Sequence, residues 1–172
     1  NKKPILQLTF ERSKLIGKNY PIYILTSKNK LDDKIELFCK KRKINIFRGD
    51  HSNVLNRYIN FLKNHYFKTI VRITADNIFT DLYNAKKLIK LHINKKSNYS
   101  TNHTDYLPKG MGIDIFESSK LKELEKYNLT KFEKEHINSY FIKNKKKFKT
   151  IFYKANSFPT NLSLSIDTLY DY

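Results

Sequence analysis

Residues 71–82 read VRITADNIFTDL. Val71, Ile73 and Ala75 alternate with polar residues, the two-residue period of a strand with one buried face. Asp76 and Asn77 follow at once. An aspartate directly after such a strand has two readings. It is a turn or helix-cap residue, whose carboxylate satisfies nearby backbone amides. Or it belongs to a site built at the strand tip, where open α/β sheets bind their ligands.

The flanking sequence supplies the context. Residues 21–27 (PIYILTS) read as a buried strand ending on polar residues, and 28–30 as a turn. Residues 31–41 read as a helix with Leu31, Ile35, Leu37 and Phe38 apolar; Asp32 and Asp33 sit in its first turn, where anions are favoured. A strand over 44–47 closes on Arg48-Gly49-Asp50, and a helix over 53–66 carries Val54, Leu55, Tyr58, Ile59, Leu62 and Tyr66. The strand over 69–74 precedes a helix over 82–93. Strand and helix alternating at this spacing argue for right-handed crossovers around a largely parallel sheet. In the second half, 99–102 is short, 110–118 alternates as a strand, 119–125 begins a helix and 132–143 is another. Late strands are expected at 149–153 and 162–166, the last followed by Asp167. No repeat or linker divides the 172 residues, so the expectation is a single α/β domain with a mixed sheet in its C-terminal half.

Composition narrows the function. No run of 18 apolar residues is present, so no membrane-spanning helix is expected, and the opening residues lack the pattern of a signal peptide. The single cysteine, Cys39, forms no disulfide within the chain and suits a helix-face thiol in a reducing cytoplasm. The net charge of +18 is mostly lysine, spread along the whole chain, with only Arg12, Arg42, Arg48, Arg57 and Arg72 as arginines. No zinc spacing, GXXG clamp or other nucleic-acid module accompanies it, so no specific nucleic-acid partner is expected; a basic binding domain is the rival reading from another class. Anionic small molecules suit this charge as well. GxxxxGK[ST] and GxGxxG are both absent. Two aspartates after strands, Asp76 and Asp167, offer the hard oxygens that Mg²⁺ takes beside substrate phosphates. The residues alone lead to an α/β domain with a candidate metal–phosphate site.

Six short blocks in order carry a resemblance. ILTSKNKLDDKI (24–35), FRGDHSNVLNRY (47–58), VRITADN (71–77), YLPKGMGIDIF (106–116), KEHINSYF (134–141) and LSLSIDTLYDY (162–172) together resemble the cytidylyltransferase family that activates acid sugars. The likeness is greatest to its spore-coat-polysaccharide branch. The resemblance implies a three-layer α/β/α, Rossmann-like fold of the nucleotide-diphospho-sugar transferase type, with a mixed sheet. It implies transfer of CMP from CTP to an anionic acceptor, dependence on Mg²⁺, and a homodimer. Another nucleotidyl- or glycosyltransferase on the same sheet is the rival enzyme reading. Asp76 and Asp167 become metal ligands, with Arg72 beside them as a catalytic guanidinium. Thr26, Arg48 and Gly49 fall on the nucleotide side. Thr101, Asn102, Lys109, Gly110, Asp114, Glu135 and His136 fall on the acceptor side; His136 either contacts the sugar carboxylate or holds its helix to the sheet.

The chain departs from the family pattern in places. Gly112 stands where that pattern has aspartate, Asp114 where it has glutamate, Asn53 and Asn56 where it has aspartates, and Ser163 where it has arginine. Asn77-Ile78 replaces a Cys-Pro pair and Leu169-Tyr170 a Pro-Glu pair. The opening NKKPILQLTFERSKL matches the segment just after the family's basic Ser/Gly loop, so the domain is expected to lack its first strand and that triphosphate-holding loop. His51 and His103 read as loop residues with no partner legible in the sequence.

Overall fold

Periodicity, caps and glycines account for most of the elements in the computed structural model, which describes residues 3–103, 107–154 and 162–168. These fall into two compact units, one of Asn1–Tyr20, Thr69–Phe116 and Lys146–Tyr172, the other of Pro21–Lys68 and Glu117–Lys145.

In the second unit, strand β1 (Tyr23–Ser27) pairs in parallel with β2 (Asn45–Gly49), joined by helix α2 (Asp33–Lys41). Ile35, Phe38 and the fully buried Cys39 form the inward stripe of α2 at helical spacing. Leu31 and Leu37, expected on that stripe, are 82% and 67% exposed. Leu31 lies in the 3₁₀ turn before the helix, and Leu37, two residues from Ile35, points to its far side. Burial pushes the Cys39 thiol up, as befits a structural thiol. Helix α3 (Val54–Asn64) buries Leu55, Ile59, Phe61 and Leu62 and ends before the exposed Tyr66. Phe61 is the hub of an aromatic cluster, with ring centroids 4.9 Å from Tyr23 and 4.3 Å from His65.

The helix expected over 132–143 is two short helices, α6 (Lys131–Glu135) and α7 (Ser139–Lys143), preceded by α5 (Ser118–Glu123). A capping box between Thr130 and Glu133 starts α6, and His136 leaves helical geometry at φ −98°, ψ 77°. Phe132 and Ile137, five apart, do not share a helical face. The break leaves Phe132 exposed and buries Ile137 and Phe141 completely.

The first unit opens with helix α1 (Ile5–Ser13), which the sequence reading did not single out. Its sheet has the order β3-β5-β4-β6, from β3 (Thr69–Arg72), β4 (Tyr99–Thr101), β5 (Asp114–Glu117) and β6 (Thr150–Phe152). β4 runs antiparallel to β5 and parallel to β6, so the sheet is mixed. Helix α4 (Leu82–Lys95) lays Ala85, Leu88 and Ile89 against Ile113 and Ile115, with Val71, Ile73, Ile151 and Tyr153 packed around them. Two strands are shorter than the alternation suggests. β3 stops at Arg72, and 110–113 lead into β5 as a turn. The strand expected at 162–166 is instead an extended strap, joined to the rest by an isolated bridge between Ser163 and Lys109.

Candidate functional site

The loop after β3 carries two aspartates, and one of them caps a helix. Asp81 is the cap: its Oδ1 accepts the Asn84 amide at 3.1 Å and starts α4. Asp76 is not. It lies in a turn closed by Asn77 N–H donating to Thr74 O at 3.1 Å, and its carboxylate takes no hydrogen bond or ion pair among the described residues. The loop is held from two sides. Thr9 Oγ1 donates to Ala75 O at 2.6 Å and Arg12 Nε to Thr80 O at 2.9 Å, so α1 clamps it on both flanks of Asp76. Asn77, buried, reaches Gly112 O at 3.4 Å.

The strap carries the other aspartate to this loop. Ile166 N–H donates to Asp76 O at 3.2 Å, and Leu164 N–H to Lys109 O at 2.8 Å. Asp167, next to Ile166, accepts from Lys109 Nζ at 2.7 Å and from Ser165 Oγ at 3.0 Å; the lysine first and the hydroxyl second hold its carboxyl below the usual range. Gly110 lets the strap lie so close. Its φ is +91°, and a Cβ there would overlap the Ser165 amide and the Leu164 carbonyl carbon. Gly110→Ala is therefore expected to destabilise the protein by more than about 1 kcal/mol, with protease cutting within the strap as the more sensitive readout. Unchanged melting and digestion would contradict the packing.

The donor chemistry at this place fits Mg²⁺. Among the described residues no group of three His, Cys, Asp or Glu gathers around one point. Mg²⁺ does not require one, since it binds through one or two carboxylates and fills its shell with water and substrate phosphates. Asp76, uncommitted among the described residues, and the exposed Asp167 are carboxylates of that kind.

Behind the loop is a buried polar group. Asp114 is fully buried; Tyr99 OH donates to its Oδ1 at 2.6 Å and Arg72 Nη1 to its Oδ2 at 3.1 Å. The resemblance placed Asp114 on the acceptor side, but burial and these two partners make it the group that orients Arg72. Arg72 is thereby set on the strand that leads to Asp76. Thr101, also buried, donates to Ile113 O at 3.1 Å and accepts from His103 N–H at 3.0 Å, which makes it a brace of this turn. Asn102 Oδ1 accepts the Ile113 amide at 2.7 Å, which fixes the orientation of the carboxamide, while its Nδ2 is buried without a partner among the described residues. A buried donor left unpaired costs about 1–3 kcal/mol. His103, which the sequence left without a partner, packs its ring on Gly112. No signal short of the fold pointed to Tyr99, His103 or the α1 clamp.

The remaining candidates lie in the second unit. Thr26 Oγ1 and the Ser27 hydroxyl and amide all donate to Asp32 Oδ2, so Asp32 closes the end of β1. Arg48 is equally committed: it donates to the Ser27 and Asn29 carbonyls and pairs with Asp33 and Glu36. Gly49 makes room for Arg57, whose guanidinium donates to the Asp50 and His51 carbonyls and so anchors α3 to the end of β2. Thr26, Arg48 and Gly49 thus shape the β1–β2 tips through contacts inside the unit. Glu135 and His136 are exposed at the α6–α7 junction, His136 tilted against Phe132 with centroids 4.3 Å apart.

Asp32 gives a pH prediction. The Ser27 hydroxyl above all, then Thr26 and the Ser27 amide, lower its pKa against the opposing effect of burial. A carboxylate lowered on folding contributes its full stability above the unfolded value, about 3.9, and loses it as pH falls through the folded value. Asp32→Asn is expected to melt lower than wild type at pH 7 and to close that gap below about pH 4. A gap that is the same at pH 7 and pH 3 would contradict the assignment.

Three comparisons place these features among known proteins. The family described as cytidylyltransferase matches residues 1–165. An uncharacterized protein of Methanocaldococcus jannaschii is 29% identical over 170 residues, 98% of this chain and 69% of that protein. The spore coat polysaccharide biosynthesis protein SpsF of Bacillus subtilis is 25% identical over 154 residues, 88% of this chain and 63% of that protein. Among solved structures, a cytidylyltransferase from Leptospira borgpetersenii superposes with a TM-score of 0.92 at 29% identity, covering 99% of this chain and 73% of that one. The α/β fold with a mixed sheet is the one that structure has.

Proposed function

The chain belongs to the cytidylyltransferase family, a family of nucleotidyltransferases, and from that premise we propose that it transfers CMP from CTP to an oxygen of an anionic acceptor, an acid sugar for surface polysaccharide. One observation carries the reading: the Ile166–Asp76 backbone hydrogen bond, 3.2 Å, ties the loops of Asp76 and Asp167 together at the end of β3. The family match runs through both units, which supports reading them as one nucleotidyltransferase domain.

In this reaction an acceptor oxygen attacks the α-phosphorus, the bond to the β-phosphate oxygen breaks, and its electron pair leaves with pyrophosphate. Charge accumulates on phosphoryl oxygens, so catalysis is mostly positioning and electrostatic stabilisation. Asp76 and Asp167 would hold Mg²⁺, which when bound compensates the charge on those oxygens. Arg72, oriented by Asp114, presents a guanidinium suited to a phosphate or carboxylate. Lys109 holds Asp167 in place through their ion pair. Thr26, Arg48 and Gly49 hold the β1–β2 tips on the nucleotide side, and Thr101, Asn102, Gly110, Glu135 and His136 serve the acceptor side. The family resemblance supports a homodimer. No helix of the described residues is long and apolar enough to cross a membrane, which is compatible with action in the cytoplasm on free substrates.

The test is pyrophosphate release by the full-length protein with CTP, Mg²⁺ and a panel of sugar acids. Release with one acceptor, lost on adding EDTA, is the expected result. Turnover with another nucleoside triphosphate and none with CTP would move the protein to a different nucleotidyl transfer.

A further inference from the structure

We propose that the outer face of α4 is a docking surface for an anionic lipid bilayer, made by Lys86, Lys87 and Lys90 with Ile93 among them, and by Lys96 and Lys149 at its end. It lies outside the transfer reaction and does not depend on it. Ala85, Leu88 and Ile89 turn one side of α4 into the core. Tyr83, Lys86, Lys87, Lys90 and Ile93 occupy an arc of about 120° on the opposite side, and all five are exposed. Two of them are apolar in body: Tyr83 is 66% exposed and Ile93 53%. The helix has 14 residues, so this face is about 21 Å long.

The charge of this face is not merely the lysine content of the chain. On other helices lysine is interleaved with acids: on α2 Lys40 pairs with Glu36 at 2.6 Å, and on α5 Lys120 with Glu123 at 2.7 Å. Residues 82–104 contain no aspartate or glutamate, and neither do 136–166. The fold joins these two stretches. Asn98 N–H donates to Lys149 O at 2.8 Å, and Asn98 Oδ1 accepts Lys149 N–H at 2.9 Å, so the exposed Lys149 is tied to the chain two residues past Lys96. Among the described residues none of these lysines makes an ion pair. Lys95 and Lys96 suit the negative end of the helix dipole. Lys86, Lys87 and Lys90 lie away from that end and repel one another at three- and four-residue spacing, a cost that a negatively charged partner relieves. Residue types choose the partner. Neither stretch contains arginine, whose fork reads nucleic-acid phosphates and protein carboxylates one by one. Lysine is a flexible point charge, suited to a mobile field of headgroups, and a cluster of about four to eight on a helix is the pattern that anionic lipid attracts. Ile93 offers no ring to stack on a base, but it can enter the acyl boundary, and Tyr83 suits the headgroup level.

Flotation of the full-length protein with lipid vesicles tests this, using phosphatidylcholine alone and phosphatidylcholine carrying about one-third phosphatidylglycerol. Binding is expected to the anionic vesicles and not to the neutral ones, and it should fall steeply between about 0.05 and about 0.5 M salt. Each lysine near an anionic surface is worth about fivefold in partitioning, so Lys86→Gln, Lys87→Gln and Lys90→Gln together should weaken binding by about a hundredfold. Their thermal melt should match that of the unaltered protein, because these side chains are exposed. Lys90→Glu alone changes two charges and should weaken binding by about twentyfold. Lys34→Gln, Lys40→Gln and Lys41→Gln together remove the same charge from α2, and should weaken it by less than about threefold. Ile93→Ser should cost about fivefold through lost apolar contact. Equal binding to both kinds of vesicle, or an equal loss in the α2 control, would overturn the surface. So would tight binding of a single-stranded oligonucleotide together with unchanged vesicle binding by Ile93→Ser, which would assign the face to nucleic acid.

Discussion

Asp76→Asn is expected to slow pyrophosphate release by about two to three orders of magnitude, the range seen when one preorganised electrostatic partner of a transition state is removed, while leaving thermal stability unchanged. The two halves of this expectation have separate origins. The rate effect follows from the place of Asp76, in the turn beyond β3, tied through its carbonyl to the strap that carries Asp167. The stability effect follows from its side chain, which takes no hydrogen bond or ion pair among the described residues, so the amide breaks nothing inside the fold. Asp81, five residues on, should behave in the opposite way: it caps α4 and contributes to folding. Pyrophosphate release and a thermal melt on both variants separate them. Full turnover by Asp76→Asn would remove the metal assignment.

The largest stability effect is expected at Asp114. Truncation to Ala removes the carboxylate that the Arg72 guanidinium and the buried Tyr99 hydroxyl both donate to. Breaking a buried pair by removing one member costs about 3–5 kcal/mol. For a chain of this size each kcal/mol moves the melting temperature by roughly 2–4 °C, so a fall of about 10 °C is expected. Asp114→Asn keeps an oxygen for Tyr99 and should fall less. Activity is expected to drop with both, because Arg72 loses the group that orients it. A melting temperature within about 2 °C of wild type for Asp114→Ala would show that this pair does not hold the site.

The elements whose stabilising pattern is local were legible without coordinates. Alternation in 71–75, the helical stripe of Ala85, Leu88 and Ile89, and polar residues at strand ends pointed to an α/β fold, which the superposition on the Leptospira enzyme bears out. Boundaries were less legible where tertiary burial overrides period. Phe132 and Ile137 looked like one helix until the need to bury Ile137 and Phe141 split it. The strap at 162–168 has the composition of a strand, but its bridge to Lys109 depends on the left-handed backbone of Gly110.

The sequence by itself determined the fold class, the family through six ordered blocks, and the two aspartates worth testing, because period, block order and residue type are properties of the chain. Only the tertiary structure decided what each polar residue does. Asp76 and Asp81 are alike in sequence, and hydrogen bonding makes one a cap and leaves the other uncommitted among the described residues. Asp114, which the resemblance placed on the acceptor side, is a buried partner of Arg72 because folding sets it between β3 and β4 residues. Thr9 and Arg12 clamp residues more than 60 positions away, a relation no local pattern encodes.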